Sequence, residues 1–393
     1  MLSDYMKKIL IILGVIIILL LGAVWTYIFV YGVPENSEEI FANFGQATDR
    51  GDTPSDTPPT EDAFEGGDGE EPWGRTTRLY QLTTRPVAGA GFVDDGIRYV
   101  ERGTGHIYEI KLQGGEEKIV SGTTIEHAVR ASFSPNGDRV IITSDTETGL
   151  ITLLGKIAGS SGNGSLTVTE LPNKAREAAF SGETLRFFVP TANGGTGYSY
   201  AFATEKTTEL FSSPLSQVRI LWGKETYLYT TPSKYALGYV YKIDEDGISY
   251  VTKGGHGLMA LRYATGTIVT TTTENGPETQ DVIHGEVPLL TMIPEKCDDR
   301  NGFSRYVFCA TPLNVDAGIA FPDDWYKGVV GYSDAIVRVN SASSSATVLS
   351  NLEEESGRPL DVRTLGVNAN ADLIYFINKY DNTLWLLDLR TLL

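Results

Sequence analysis

The sequence predicts an all-β domain preceded by one membrane-spanning helix and a disordered acidic linker. Three observations support this: an uncharged run of 22 residues near the N-terminus, a following stretch rich in Asp, Glu, Thr, Pro and Gly, and many short apolar runs bounded by turn residues beyond Thr76. The predicted divisions are a cytoplasmic N-terminus (1–8), a transmembrane helix (9–31), the linker (32–75) and the β domain (76–393).

The uncharged run covers residues 9–30. At ~1.5 Å per residue, a helix of this length crosses a hydrocarbon layer ~30 Å thick. Lys7 and Lys8 precede the run, which predicts a cytoplasmic N-terminus and an extracytoplasmic β domain. The alternative is a cleaved signal peptide, which has a shorter apolar region and a cleavage site of small residues. Because this run ends in bulky residues such as Trp25 and Tyr27, we expect a single-pass protein of the cytoplasmic membrane.

Acidic residues are concentrated in the linker. Between Val33 and Gly74 there are 12 Asp or Glu and one Arg, which accounts for −11 of the formal net charge of −18. Such a stretch cannot bury enough apolar surface to offset its ordering entropy, so it is predicted to be disordered. Nucleic acid is not an expected partner, because phosphate binding requires clustered Lys and Arg and the sequence has no basic run.

A pattern of strand, turn and strand recurs along the β domain. Its copies begin at Phe92, Phe133, Phe180, Leu221, Arg262, Cys297 and Val367. Their average spacing of about 46 residues is near the ~40–45 residues of a four-stranded propeller blade. We therefore predict a single β-propeller of seven blades. Six or eight blades are the alternatives, because the copies at Arg262 and Cys297 are degenerate.

The two ends of the repeat region predict a closed ring. The last repeat stops after its third strand, whereas an unassigned strand at residues 78–82 precedes the first repeat. That strand is predicted to supply the missing outer strand of the last blade, which removes an exposed sheet edge. The sixth repeat is the longest, and residues 311–331 are interpreted as an insertion between two of its strands.

One turn carries a family resemblance. The segment Phe133-Ser134-Pro135-Asn136-Gly137-Asp138-Arg139-Val140-Ile141 resembles the repeat of TolB-type, WD-like bacterial propellers, which place a Ser-Pro-Asp-Gly turn between the first two strands of a blade. The resemblance implies the fold and says little about function. The anchor, acidic stalk and propeller, with Glu295-Lys296-Cys297 and residues 322–326, also resemble uncharacterised surface propellers of small-genome, uncultivated bacteria, which implies no activity.

Cys297 and Cys309 flank a predicted hairpin. Outside the membrane such a pair is expected to form a disulfide, with free thiols as the alternative. A metal site would need two further ligands, and the four His residues show no ligand spacing. Neither a metal nor a cofactor is predicted.

The insertion contains the best interaction candidates. Asp323, Asp324, Trp325 and Tyr326 place two aromatic rings beside two carboxylates on a loop that is expected to project from the ring. Exposed Trp and Tyr are enriched in binding hot spots, so these four residues are the predicted binding site. In the alternative, Trp325 folds back and covers the adjoining blade.

The predicted function is a membrane-anchored binding or scaffolding module of the cell envelope, with an envelope or surface protein as its partner. The first alternative is an enzyme (a lyase, hydrolase or dehydrogenase) at the central channel, and the second is a spacer without a ligand. An enzyme requires several ionisable residues converging on the ring axis. The sequence is poor in His, and no repeated charged position is evident at the start of the innermost strands. A cluster of ionisable residues around the channel would favour the enzyme, and an apolar channel would exclude it.

Overall fold

The structure is a computed structural model that describes residues 78–390, except residues 114, 160–163, 173, 245–246, 264–265, 299–305, 317 and 341. The predicted cytoplasmic N-terminus, transmembrane helix and linker lie outside the described residues. The chain divides into two units, Met1–Gly66 and Gly67–Leu393, and every described residue belongs to the second. No helix in the described ranges is long and apolar enough to span a membrane.

Thirty strands account for most of the described chain. The first fifteen are β1 (Leu79–Gln81), β2 (Val87–Val93), β3 (Gly96–Glu101), β4 (Ile107–Lys111), β5 (Glu117–Ser121), β6 (Ala128–Phe133), β7 (Arg139–Thr146), β8 (Gly149–Ala158), β9 (Ser165–Glu170), β10 (Arg176–Ser181), β11 (Thr184–Thr191), β12 (Gly194–Ala201), β13 (Lys206–Ser213), β14 (Val218–Leu221) and β15 (Thr226–Thr230).

The others are β16 (Leu237–Gly238), β17 (Val240–Asp244), β18 (Gly247–Tyr250), β19 (Gly255–His256), β20 (Met259–Tyr263), β21 (Gly266–Thr273), β22 (Gly276–Asp281), β23 (Gly285–Glu286), β24 (Cys297–Asp298), β25 (Tyr306–Pro312), β26 (Asp334–Asn340), β27 (Ala346–Asn351), β28 (Val362–Val367), β29 (Leu373–Asn378) and β30 (Leu384–Asp388). A 3₁₀ turn (Pro294–Lys296) and two short helices, α1 (Asp323–Tyr326) and α2 (Leu352–Ser356), complete the elements.

Within the described residues these strands form seven four-stranded sheets and one two-stranded ribbon, β16–β19. Each of blades 1 to 6 is a sheet of strands taken in chain order, β2–β5, β6–β9, β10–β13, β14-β15-β17-β18, β20–β23 and β24–β27. The predicted repeats all fall on the first hairpin of a blade. The prediction of a seven-bladed β-propeller is therefore confirmed.

The seventh blade closes the ring with a strand from the other end of the described chain. Its order is β28-β29-β30-β1, so β1 supplies the outermost strand. Leu79 lies opposite Leu387 in this antiparallel pair, and Gln81 lies opposite Trp385. The strand predicted at residues 78–82 thus takes the expected role.

Apolar side chains fill the interfaces between blades. Seven buried clusters are present in the described chain, one at each of the seven interfaces between neighbouring blades. At the closing interface, Val87 and Ile97 of blade 1 pack with Ile377 and Leu384 of blade 7. Because burial of apolar surface is the main force that stabilises a fold, each blade depends on both of its neighbours.

The turn that resembles TolB-type repeats has a local physical basis. The backbone N–H of Gly137 donates to the carbonyl of Ser134, and the Ser134 hydroxyl accepts from the N–H of Arg139 at 3.0 Å. Gly137 has φ of 69°, and a Cβ at this position would meet Val93 at 2.4 Å. Glycine is therefore required both by the left-handed conformation and by the close approach of blade 1.

The disulfide joins the two innermost strands of blade 6. Cys297 of β24 and Cys309 of β25 are directly opposite in register, with their Cα atoms 4.0 Å apart. The predicted pairing is confirmed, and it is compatible with an oxidising compartment. The covalent link holds the innermost strand of blade 6 to its neighbour.

We predict that replacing both cysteines by alanine lowers the free energy of unfolding by about 3 kcal/mol, because the disulfide restricts a short loop of the unfolded chain. Urea denaturation followed by Trp fluorescence measures this loss. Reduction of the native protein should lower the midpoint similarly, whereas reductant should leave the midpoint of the Cys297→Ala/Cys309→Ala variant unchanged. An equal midpoint for the oxidised and reduced native protein would contradict the prediction.

Candidate functional site

A cavity of about 290 Å³ lies on the ring axis. All seven innermost strands contribute to its wall, through Ala90, Ala131, Glu177, Arg219, Leu261, Asp298 and Thr364 among other residues. Ligand pockets usually occupy ~300–1,000 Å³, so the volume of the cavity is just below that range. This central channel is the candidate functional site.

The strand registers define the two ends of the channel and show at which end the insertion lies. We call the end at which the innermost strands begin the strand-start face. Since neighbouring strands are antiparallel, the connections between the second and third strands of each blade lie at the same end. In blade 6, Cys297 opposite Cys309 and Pro312 opposite Asp334 place the insertion (residues 313–333) on the strand-start face.

Four side chains form what we call the channel ion network: Glu177, Arg219, Glu295 and Tyr326. Arg219 Nε lies 3.1 Å from a carboxylate oxygen of Glu177, and Arg219 Nη2 lies 2.8 Å from one of Glu295. The Tyr326 hydroxyl donates to the other oxygen of Glu295 at 2.8 Å. The network therefore joins blades 3, 4 and 6 to the insertion.

An irregular backbone positions Glu177. Its φ of 51° is in the left-handed region, which is uncommon for a residue other than glycine, and a bulge shifts the register of β10 between Arg176 and Ala179. The Trp222 indole N–H donates to the Glu177 carbonyl, and the Ile220 N–H donates to its carboxylate at 3.3 Å. Contacts from blade 4 thus hold a strained residue of blade 3 with its carboxylate on the channel.

The electrostatics of the network fix its protonation state. Burial alone would lower the pKa of Arg219, but Glu295 and Glu177 outweigh burial and raise this pKa well above its ordinary value. Burial, with the negative charge of Glu295, raises the pKa of Tyr326 well above the ordinary value of a phenol. Arg219 is therefore a permanent cation, and Tyr326 is a hydrogen-bond donor at neutral pH.

Beneath the insertion lies what we call the buried lysine network: Lys296, Asp334, Asp361 and Trp325. Lys296 is 0% exposed, and its Nζ lies 2.6 Å from a carboxylate oxygen of each Asp. The Trp325 indole N–H donates to Asp361 at 3.0 Å, and Lys296 Nζ lies 5.1 Å from the centre of the Trp325 ring. Burial raises the pKa of Asp334 to about 6, although Lys296 opposes this shift.

The predicted binding residues of the insertion contact the ring. Trp325 is only 4% exposed, so the structure shows the alternative in which it covers the adjoining blade. Asp323 accepts hydrogen bonds from Ser233 and Lys234 of blade 4, and Asp324 accepts from the N–H of Ala320 within the insertion. Tyr326 keeps 36% of its surface exposed while its hydroxyl contacts Glu295. A binding role for these four residues stays a prediction.

Charged residues lie near the start of four innermost strands, although the sequence shows no repeated charged position there. Arg130, Glu177, Arg219 and Arg363 are each the second or third residue of an innermost strand. Bulges near Ala128, Arg176 and Val362 change the register by a residue, so the charges do not align as a sequence repeat. The channel is consequently neither bare nor apolar. In the described part of the chain, no group of three or more His, Cys, Asp or Glu is arranged to hold a metal ion.

Exposed apolar and aromatic side chains lie on the strand-start face. Tyr235 is 75% exposed, Val329 is 69% exposed and Tyr380 is 55% exposed. Each lies in a connection between the second and third strands of a blade, in blades 4, 6 and 7 respectively. Exposed tyrosines on one face of the ring have the composition of a protein-binding surface.

We predict that Lys296→Met lowers the free energy of unfolding by roughly 3–5 kcal/mol, because Asp334 would stay buried without a cation and Asp361 would keep only Lys379, at 3.7 Å. Acidification should reduce this loss. The pKa of Asp334 is raised in the folded state, so its carboxyl group takes up a proton on folding, and stability rises as the pH falls through that pKa. Chemical denaturation between mildly alkaline and mildly acidic pH measures both effects.

The control for this prediction is Lys118→Met, since Lys118 pairs with Glu116 on the surface of the ring. An exposed pair contributes at most about 1 kcal/mol, so this variant should lose little stability at any pH. Equal losses in the two variants would show that the buried network does not stabilise the fold.

No protein-family model and no curated protein matches the chain. Among solved structures, the β-propeller domain of the Trilobed protease from Pyrococcus furiosus, described as having an open velcro topology, matches with a TM-score of 0.51 and 10% identity, over 77% of this chain and 95% of that one. A functionally unknown protein from Desulfotomaculum acetoxidans matches with a TM-score of 0.46 and 12% identity, over 75% of this chain and 92% of that one. The first similarity shows the β-propeller fold and no activity.

Proposed function

We propose that this protein is a binding module of the cell envelope, anchored in the cytoplasmic membrane by the helix predicted at residues 9–31, and that its strand-start face contacts another envelope or surface protein. The observation that carries the proposal is the set of exposed side chains on this face, Tyr235, Val329 and Tyr380. Rigid aromatic side chains supply contact area at low entropic cost, which favours protein recognition.

The anchor and the linker are supported by the sequence. The uncharged run and its flanking Lys pair fit a single-pass orientation with the propeller outside, and the Cys297–Cys309 disulfide is compatible with that compartment. The turn at Ser134 favours a relationship to TolB-type, WD-like propellers. An acidic linker of about 40 residues would have a root-mean-square reach of roughly 35 Å, which fits a spacer between the anchor and the propeller.

A second function, an enzyme acting in the channel, is favoured by the channel ion network. Ionisable residues converge on the axis, as an enzyme requires, and the Tyr326 hydroxyl is a donor next to the Glu295 carboxylate. Against this function, both Glu177 and Glu295 are ion-paired with Arg219, so neither carboxylate is free to act as a base without rearrangement. We therefore rank binding first.

We predict that a Tyr235→Ala/Tyr380→Ala double variant recovers at least about tenfold less of a crosslinked partner than the wild type does. The reason is that truncating a hot-spot tyrosine commonly costs about 2 kcal/mol or more of binding free energy. The measurement is crosslinking of the full chain in native membranes, followed by quantitative mass spectrometry. Tyr250→Ala is the matched control, since Tyr250 is 55% exposed on an outermost strand of blade 4. Equal recovery of the partner in both variants would exclude the strand-start face as the contact surface.

The enzyme is tested with Glu295→Gln, which preserves the shape of the side chain and removes its charge. If the channel is catalytic, the wild-type protein should convert an envelope polysaccharide into new products detectable by mass spectrometry, and Glu295→Gln should lose this activity by at least about a hundredfold. Glu278→Gln, on the exposed surface of β22, is the control and should keep it. Activity that survives Glu295→Gln would place any chemistry outside the network.

A further inference from the structure

A second group of charged residues lies across the channel mouth from the ion network. Arg363 begins the innermost strand of blade 7, Arg130 lies near the start of that of blade 2, and Arg102 follows β3 in blade 1. Because Glu101 lies opposite Val87, Arg102 is also on the strand-start face. We call Arg102, Arg130 and Arg363 the basic cluster.

Backbone carbonyls bring two of the three guanidinium groups together. Arg363 Nη2 donates to the carbonyl of Val87 at 2.8 Å, and its Nη1 lies 3.4 Å from the carbonyl of Val129. Arg102 Nη1 donates to the same Val129 oxygen at 2.9 Å. Two cationic side chains from different blades therefore meet at one oxygen, and Arg130 is the next residue along the chain from that carbonyl.

The basic cluster has no negative partner in the part of the chain that the structure describes. No carboxylate there lies within 4.0 Å of any of the three guanidinium groups. On the other side of the channel, by contrast, Arg219 is paired with both Glu177 and Glu295. The distinctive feature of the basic cluster is that neighbouring cations share no carboxylate, in a protein with 50 acidic and 32 basic residues.

The cluster also has donors that no described protein atom satisfies. The Nε–H of Arg363 is buried and has no hydrogen-bond partner within the described structure. Burial, together with the charges of Arg102 and Arg130, lowers the pKa of Arg363 to about 10. Like charges held together without a counterion are unfavourable, and a bound anion would relieve this repulsion.

We propose that the basic cluster binds an oxyanion, that is, a phosphate, sulfate or carboxylate group of a ligand at the channel mouth. Guanidinium groups bind such oxygens through charge-assisted, often bidentate hydrogen bonds. Arg130 is exposed and donates to no described atom, and Arg102 has only its Nη1 engaged. Both can therefore contact an anion while Arg363 keeps its backbone contacts. This inference does not rest on the proposed protein partner.

The test uses the full chain in neutral detergent, titrated separately with pyrophosphate, sulfate and citrate while sodium chloride keeps the ionic strength constant. If the site is specific, the Tm increases saturably with probe concentration. At a probe concentration about tenfold above Kd, the increase should be roughly 2 °C relative to sodium chloride at the same ionic strength. The rank order of the three probes identifies which oxyanion group the site prefers.

Arg130→Gln should weaken this binding by at least about tenfold, because it removes a cation and its charge-assisted donors from an exposed side chain of the cluster. Arg338→Gln is the control with the same change of charge: Arg338 also lacks a carboxylate partner among the described residues, stacks on Tyr306 in blade 6 and lies outside the cluster. The affinity of Arg338→Gln for the probes should equal that of the wild type. Should Arg130→Gln fail to fold, Arg102→Gln provides the same comparison.

Two results would overturn the proposal. The first is the absence of any saturable increase in Tm with all three probes. The second is an equal change of affinity in the cluster variant and in Arg338→Gln, which would reflect net charge rather than a site.

Discussion

Closure of the ring by β1 is the constraint on which the channel depends. A blade buries its two faces only against its neighbours, so an open ring would leave a face of blade 1 and a face of blade 7 in water. The closing interface brings Val87 against Ile377, and β1 completes the last sheet by pairing with β30. A complete channel wall therefore requires that residues near opposite ends of the described chain meet.

The 3₁₀ turn Pro294–Lys296 couples the insertion to the channel. Glu295 contributes to the channel ion network, whereas the next residue, Lys296, is fully buried between Asp334 and Asp361. On the insertion, Tyr326 binds Glu295 and the preceding Trp325 binds Asp361. Two consecutive residues of the turn thus hold two consecutive residues of the insertion. Glu295 holds Tyr326 in the channel, and Lys296 holds Trp325 in the core through Asp361. These are the same two short segments on which the resemblance to surface propellers is based.

Local features were predictable from the sequence, and those that depend on the ring were not. The turn at Ser134 to Gly137 and the pairing of Cys297 with Cys309 involve residues close in the chain, so residue type and spacing indicate them. Glu177 and Arg219 are 42 positions apart and meet only because blades 3 and 4 are adjacent.

The burial of Trp325 has a different reason. Its indole N–H satisfies a buried carboxylate, Asp361, which the sequence gives no means of recognising as buried. The basic cluster was missed for a related reason, because Arg102 and Arg363 converge on a carbonyl of a third blade. The charge of a side chain can be read from a sequence. Its burial, which determines how strongly that charge interacts with its neighbours, depends on the assembled ring.

The position of β1 also determines how the fold responds to mechanical load. The chain enters the propeller at Arg78, whose guanidinium binds Glu355 at 3.0 Å, and continues directly into three residues paired with β30. Tension on the chain before this point is therefore transmitted first to one ion pair and one short strand. The strand that completes the last blade therefore bears the force before the core of any blade does.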